Sequence, residues 1–145
     1  MLATRGKSFK GQTVVISGSG NVAQYAAEKA MRLGAKVVTF SDSNGYIYDP
    51  EGMTEEKIAY VKNLKNVIRG RIKEYVKQYP NAKYFEGERP WGVKCDIAMP
   101  CATQNEIELK DAEKLVANGC YCVTEGANMP TTPDAIALFQ KNKML

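Results

Sequence analysis

The run QTVVISGSGNVAQYAAEKAMRLGAKVVTFSD, residues 12–42, decides the fold. Residues 12–17 form a short β-branched apolar run that reads as a buried strand, and a glycine turn follows it. Residues 21–33 place alanine and apolar positions at the spacing of a packed helix, which Gly34 ends. Residues 36–40 are a second apolar strand, and Asp42 stands just past it. Two strands joined by a crossover helix lie parallel. The turn Gly18-Ser19-Gly20-Asn21-Val22-Ala23 matches G-x-G-x-x-A. One glycine makes the tight turn, the next lets backbone approach a pyrophosphate, and Ala23 allows close helix–strand packing. Free N–H groups and the dipole at the helix start then receive the anion. Gly-x-Gly turns also serve merely to connect elements, but the flanking strand, helix and acid favour nucleotide binding.

Working outward, residues 41–52 read as a loop, with Asn44-Gly45 and residues 50–52 as turn signals. Thr54 caps a long helical stretch. Its apolar stripe, Ile58, Val61, Leu64, Ile68, Ile72, Tyr75 and Val76, follows i, i+3, i+4 spacing, with Gly70 as a bend and Pro80 as a stop. Residues 83–86, 96–99 and 121–124 read as short strands, the second ended by Pro100. Helical periodicity at 109–117 closes at Asn118-Gly119, and Thr132-Pro133 opens a last helix, with Thr as N-cap and Pro in the first helical position. The alternation predicts an α/β fold: a Rossmann-like, doubly wound, mostly parallel sheet with helices on both faces. It is read as one dinucleotide-binding domain over residues 1–145. The chain stops directly after a helix, where another strand is expected, so the domain is read as partial and C-terminally truncated.

A chain of 145 residues supports one core without disulfide or metal staples. No apolar run approaches the roughly 18 to 20 residues of a bilayer span, so no membrane is expected. The net charge of +4 is dispersed along the chain and not gathered into a basic block, so no nucleic acid is expected either. The absence of His removes every nucleophile relay and acid–base pair that needs imidazole. Cys95, Cys101, Cys120 and Cys122 lack the C-x-x-C spacing of a metal knuckle and read as buried thiols, with Cys120 and Cys122 on one face of a strand. MLATRGKSFKG lacks a signal peptide's apolar region, so the expected setting is a reducing cytoplasm.

Asp42 lies about 20 residues past the glycine turn, where an acid accepts hydrogen bonds from a ribose diol. It also reads as the ordinary start of the Ser41-Asp42-Ser43-Asn44 loop. Residues 100–105 (PCATQN) and 125–130 (EGANMP) each follow an expected strand and so face one crevice at the strand ends. Thr103, Asn105 and Asn128 offer neutral donors and acceptors that suit an amide and a sugar better than acid–base work. Turn chemistry alone accounts for the same residues.

The strings SGSGNVAQYAAEKAMRLGAKVVTFSDSNGYIYDPEG, ERPWGVKCDIAMPCATQNEIEL and VTEGANMPTT closely resemble the cofactor-binding domain of bacterial hexameric glutamate dehydrogenases. The resemblance implies interconversion of L-glutamate with 2-oxoglutarate and ammonium by hydride exchange with NAD or NADP. It puts Gly18, Ser19, Gly20, Asn21 and Val22 at the pyrophosphate, Asp42 and Ser43 at the adenosine ribose, and Ala102, Thr103, Gln104 and Asn128 at the nicotinamide half. It implies a homohexameric parent enzyme, with this chain alone a monomer or weak dimer. The family's catalytic lysines and aspartate belong to a substrate domain that no segment here matches, so no catalytic residue is assigned. Hydride transfer needs substrate and nicotinamide held together, which leaves this piece inert by itself. NADP is favoured over NAD, because Lys65 stands where NADP-using relatives resemble this chain in carrying a basic residue. The rival reading is a stand-alone nucleotide-binding regulatory module on the same fold. A short-chain reductase would use the Tyr-x-x-x-Lys pair at Tyr79 and Lys83, but Pro80 breaks its helical spacing.

Overall fold

The computed structural model describes residues 2–145 and leaves Met1 aside. A four-stranded parallel sheet runs in the order β2-β1-β6-β7, from β1 (Thr13–Ile16), β2 (Lys36–Val37), β6 (Ile97–Met99) and β7 (Cys122–Val123). The pleat sends alternate side chains to opposite faces. Val14, Ile16, Ile97 and Met99 enter one core, while Val15 and Ala98 enter another. On the first, α1 (Asn21–Arg32) lays down Ala23, Ala27 and Ala30, and α2 (Glu55–Lys62) adds Ile58 and Val61. On the second, α4 (Leu109–Ala117) and α5 (Pro133–Lys141) contribute Ala112, Leu115, Ala135 and Phe139. Burial on both faces is why TVVI is apolar throughout and does not alternate.

The segment read as one strand at 36–40 divides. β2 ends at Val37, and β3 (Thr39–Asp42) joins a separate antiparallel sheet, β3-β4-β5, with β4 (Gly45–Tyr48) and β5 (Lys83–Glu86). Thr39 keeps the departing chain tied to β1: its hydroxyl accepts from the Ile16 N–H at 2.9 Å and donates to the Ile16 carbonyl at 2.8 Å. The expected loop over 41–52 is therefore largely hairpin. Its turn is correctly marked by Asn44-Gly45, but Tyr46 and Ile47 bury as a strand.

The long helix also breaks. After α2 the chain runs as a π-turn over Asn63–Ile68, reaches Arg69 at φ 57°, and resumes through a 3-10 turn at Ile72–Glu74 and α3 (Tyr75–Gln78). Gly70 is the hinge, donating its N–H to the Leu64 carbonyl, and a Cβ there would lie 2.8 Å from Leu64 Cδ1. The break turns Ile68 out of the expected stripe to 62% exposure, while Leu64, Ile72 and Tyr75 stay buried.

One smaller expectation fails for a local reason. Cys120 and Cys122 do not share a face, because β7 begins only at Cys122 and Cys120 is still held by the α4 exit, donating to Leu115. Cys120 packs in the second core and Cys122 in the first. Thr132 does take the N-cap position of α5 and Pro133 opens its first turn, as expected, although the Thr132 hydroxyl makes no capping bond. At the free side of β7, Leu145 donates to the Tyr121 carbonyl and accepts from Val123, both at 2.9 Å, which is the bonding pattern of a parallel ladder.

Candidate functional site

The turns after β1 and β6 lie at one edge of the parallel sheet, where the end of β3 meets them around a cavity of about 390 Å³. Its walls include Gly18, Ser19, Asp42, Ser43, Ala102 and Thr103 of the expected site, together with Arg89 and Glu106. Side-chain and backbone bonds lock these pieces together. The Ser41 hydroxyl accepts from the Gly18 N–H at 2.7 Å, and the Ser17 hydroxyl accepts from the Cys101 N–H at 3.0 Å. The Pro100 carbonyl accepts from both Gly126 and Ala127 at 3.0 Å, which fixes the loop carrying Asn128.

Gly18 sits at φ 84°, and a Cβ there would lie 2.9 Å from the Cys101 carbonyl oxygen, so glycine is needed by both backbone and neighbour. Gly20 is different. Its φ is −82°, which any residue adopts, and a Cβ would meet nothing within 4 Å. No φ requires glycine at this position; the missing side chain leaves open space at the start of α1. No side chain caps α1, and no acidic residue stands in its first turn, so the positive end of the helix is open. Gln24 stabilises this turn from behind. Buried on an otherwise alanine face, it donates to the Ser19 carbonyl at 2.7 Å and exchanges hydrogen bonds with Asn66.

Asp42 is turned into the protein, its side chain 6% exposed. One carboxylate oxygen accepts from Asn44 N–H at 2.9 Å and the other from Ile72 N–H at 2.8 Å. Lys65 Nζ and Arg71 Nε lie 3.8 and 3.7 Å from it. Ser43 is exposed, and Arg71 donates to its hydroxyl at 2.6 Å. The Asp42, Ser43 and Lys65 of the sequence reading are therefore brought together, with Lys65 on the π-turn and not on a continuous helix. Arg71 completes the group. Sequence reasoning missed it because it lies beyond the break at Gly70, outside any helical register.

Ala102, Thr103 and Gln104 are exposed, and so is Asn128 on the neighbouring loop. The Ala102 and Thr103 N–H groups both donate to one oxygen of Glu106 at 3.0 Å. Asn105, read as a polar contact, has φ 54° and turns the chain so that Glu106 points back under the loop. Burial, reinforced by the charge of Glu106, pushes the Cys101 thiol up to about 11, which leaves it a protonated packing group at neutral pH. Gly20, Asn21, Val22, Lys65, Gln104 and Asn128 do not line the cavity itself, although a Cβ on Gly126 would lie 3.1 Å from Val22, so the Asn128 loop adjoins the start of α1.

The donors fit a dinucleotide's parts: an open helix start for a diphosphate, two cations beside an exposed serine, and uncharged side chains near an amide. Comparison with known proteins agrees with this chemistry. The family pattern described as Glutamate/Leucine/Phenylalanine/Valine dehydrogenase matches residues 1–145. The chain is 62% identical over 145 residues to the NAD(P)-specific glutamate dehydrogenase of Xylanibacter ruminicola, covering all of this chain and 32% of that protein. It is 62% identical over 135 residues to the NADP-specific glutamate dehydrogenase of Haemophilus influenzae, covering 93% of this chain and 30% of that one. An NAD-specific relative from Bacteroides fragilis is 50% identical over 145 residues, 33% of its length, so the cofactor named for these relatives is mixed. The solved glutamate dehydrogenase of Plasmodium falciparum superposes with a TM-score of 0.96 at 51% identity, over 99% of this chain and 31% of that one. The chain thus spans about a third of the length of the relatives it matches, and no helix among its described residues is long and apolar enough to cross a membrane. Open helix start, paired cations and matching pattern converge, and the chain belongs to the glutamate/leucine/phenylalanine/valine dehydrogenase family.

Proposed function

We propose that this chain is the cofactor-binding domain of a glutamate dehydrogenase, a doubly wound dinucleotide fold that holds NADP, with NAD as the alternative. The observation that carries the reading is the uncapped start of α1, facing open space at Gly20 beside a cavity shared by Ser43 and Thr103. When bound, the dinucleotide supplies the hydride acceptor or donor that interconverts L-glutamate with 2-oxoglutarate and ammonium. The chain's own residues hold it. Backbone N–H groups from Ser19 to Val22 receive the pyrophosphate without a competing carboxylate, and Gly18, its own N–H held by Ser41, makes the tight turn that presents them. Ser43, Lys65 and Arg71 receive the adenosine ribose and its 2′-phosphate. Asp42 is occupied by Asn44 and Ile72 and by its two cations, so it repels that phosphate less than a free acid would. Ala102, Thr103, Gln104 and Asn128 orient the nicotinamide half.

None of these side chains is a base poised on a substrate, so the substrate groups and the proton transfers belong to the rest of the parent enzyme, read as a cytoplasmic homohexamer. Calorimetric titration with ADP-ribose, NADP and NAD tests the reading. Saturable binding of all three supports it, and no heat at millimolar ADP-ribose overturns it. Equal affinity for NADP and NAD would overturn the cofactor preference alone.

A further inference from the structure

Two turns rich in backbone N–H groups stand at the same edge of the sheet. The first, after β1, has no acid in the opening turn of α1 and no capping side chain. The second, after β6, is already filled: one oxygen of Glu106 accepts from both Ala102 and Thr103. Successive N–H groups in a turn make an anion-binding concavity, and a carboxylate seated there excludes a phosphate by occupancy and by charge. Glu106 is well suited to stay seated. It is only 4% exposed, and its own carbonyl accepts from Arg89 Nη1 at 2.7 Å. On either side of it, Asn105 donates to the Met129 carbonyl and Ile107 to the Pro130 carbonyl. Among the described residues no lysine or arginine forms an ion pair with its carboxylate, so the loop's N–H groups are its partners.

We infer that Glu106 is a positioning residue: it fills the anion-accepting notch made by the Ala102 and Thr103 N–H groups and so presents Ala102 and Thr103 to the uncharged nicotinamide amide. The inference rests on the dinucleotide reading above and adds to it a residue that acts through the loop without touching the cofactor. Because Arg89, which lines the same cavity, donates to the Glu106 carbonyl, the seat is braced from outside the loop as well.

The test compares Glu106→Gln and Glu106→Ala with the unsubstituted protein in the full-length enzyme that carries this chain. The probes are ADP-ribose, which lacks nicotinamide, and NADP, each titrated calorimetrically. Glu106→Ala is expected to weaken NADP about tenfold and leave ADP-ribose within twofold. Glu106→Gln, which keeps one acceptor but no charge, falls between, and carries the test if the alanine variant does not fold. Faster amide exchange at Ala102 and Thr103 should accompany the loss. Equal weakening of both probes would overturn the inference by showing a general loosening of the site, and so would unchanged NADP affinity. Failure of ADP-ribose to bind the unsubstituted protein would instead overturn the dinucleotide reading beneath it.

Discussion

On one side of the cavity the turn 17–20 leaves an inner strand of a parallel sheet, and its position is set by backbone and by small side chains packed on both faces. On the other side, residues 42–71 form a wall whose position depends on polar groups reaching across the chain. Asp42 holds the Ile72 N–H from 30 residues away, and Arg71 reaches back to Ser43. The first arrangement is rigid because many apolar contacts must fail together. The second depends on a few charge-assisted bonds, each of which can be removed singly. On the proposed reading, a diphosphate seat fixed by packing and a ribose wall held by single bonds are consistent with relatives 62% and 50% identical to this chain that differ in the cofactor named for them.

The adjustable wall rests on one buried acid. Asp49 is 1% exposed and accepts from Lys57 Nζ at 2.9 Å and from the Tyr75 hydroxyl at 2.6 Å, which pins α2 and the segment beyond the break to the end of β4. Burial pushes the Tyr75 hydroxyl up, and Asp49 adds to the effect, so the phenol stays a donor. Asp49→Ala leaves the buried Tyr75 hydroxyl without its acceptor and Lys57 with only its longer bonds to Glu51 and the Gly52 carbonyl. Its expected cost is about 3 to 5 kcal/mol in urea unfolding. A loss below about 1 kcal/mol would mean that the wall is carried by apolar contacts like the rest.

Next in size is Gly18→Ala. A left-handed φ costs an L-residue roughly 1 to 2 kcal/mol, and the overlap with the Cys101 carbonyl adds to it, so about 3 kcal/mol of stability should go. Nucleotide binding should fall with it, because the turn and the neighbouring loop move together. A variant of unchanged stability would show that the two loops are not in contact as described.

What could be read from sequence follows the same division. The turn before α1 was legible because strand, glycines and helix are contiguous, and each obeys a local rule. The resemblance assigned Ser43 and Lys65 to one cofactor, but the geometry that brings both beside Asp42 and Arg71 was not legible. The i, i+3, i+4 stripe continues through Gly70, and nothing local says that Ile72 will give up its helical bond to meet Asp42. The alternation of Tyr46 and Ile47 was hidden under a genuine turn signal at Asn44-Gly45. Glu106 was overlooked for a related reason: its partners are the N–H groups of Ala102 and Thr103, and backbone donors leave no trace in residue identity. Gln24 did leave one, a polar residue on the face of Ala23, Ala27 and Ala30, which a buried amide must justify by bonding.

Gly20→Val separates fold from ligand at the rigid seat. Nothing in the chain lies within 4 Å of the added Cβ, and φ −82° suits valine, so stability should fall by no more than about 1 kcal/mol, the cost of a poorer N-cap. Affinity for ADP-ribose should fall about fiftyfold, equivalent to roughly 2.3 kcal/mol, since the branched side chain occupies the approach to the helix start. A folded variant with unchanged affinity would move the diphosphate away from this turn.

The smallest effects are expected at the two cations of the wall, and they should differ. Lys65 Nζ already donates to the Gly70 carbonyl at 3.0 Å, and its side chain is 17% exposed, so part of its capacity is spent on holding the break closed. Arg71 is 43% exposed and already rests on the Ser43 hydroxyl, with a guanidinium whose planar fork suits a phosphate. Arg71→Ala should therefore weaken NADP about tenfold, near 1.4 kcal/mol, and leave NAD within twofold. Lys65→Ala should weaken NADP only about threefold. Binding constants for both cofactors, measured on each variant in the full-length enzyme, give the ratio directly. If both substitutions weaken NADP and NAD alike, the cations serve Asp42 and not a 2′-phosphate; the wall is then structural, and the preference for NADP falls with it. If Arg71→Ala is selective and Lys65→Ala is not, the reading of the serine is sharpened. Specificity at this site would then come from the arginine beyond the helix break, with the lysine holding that break in place.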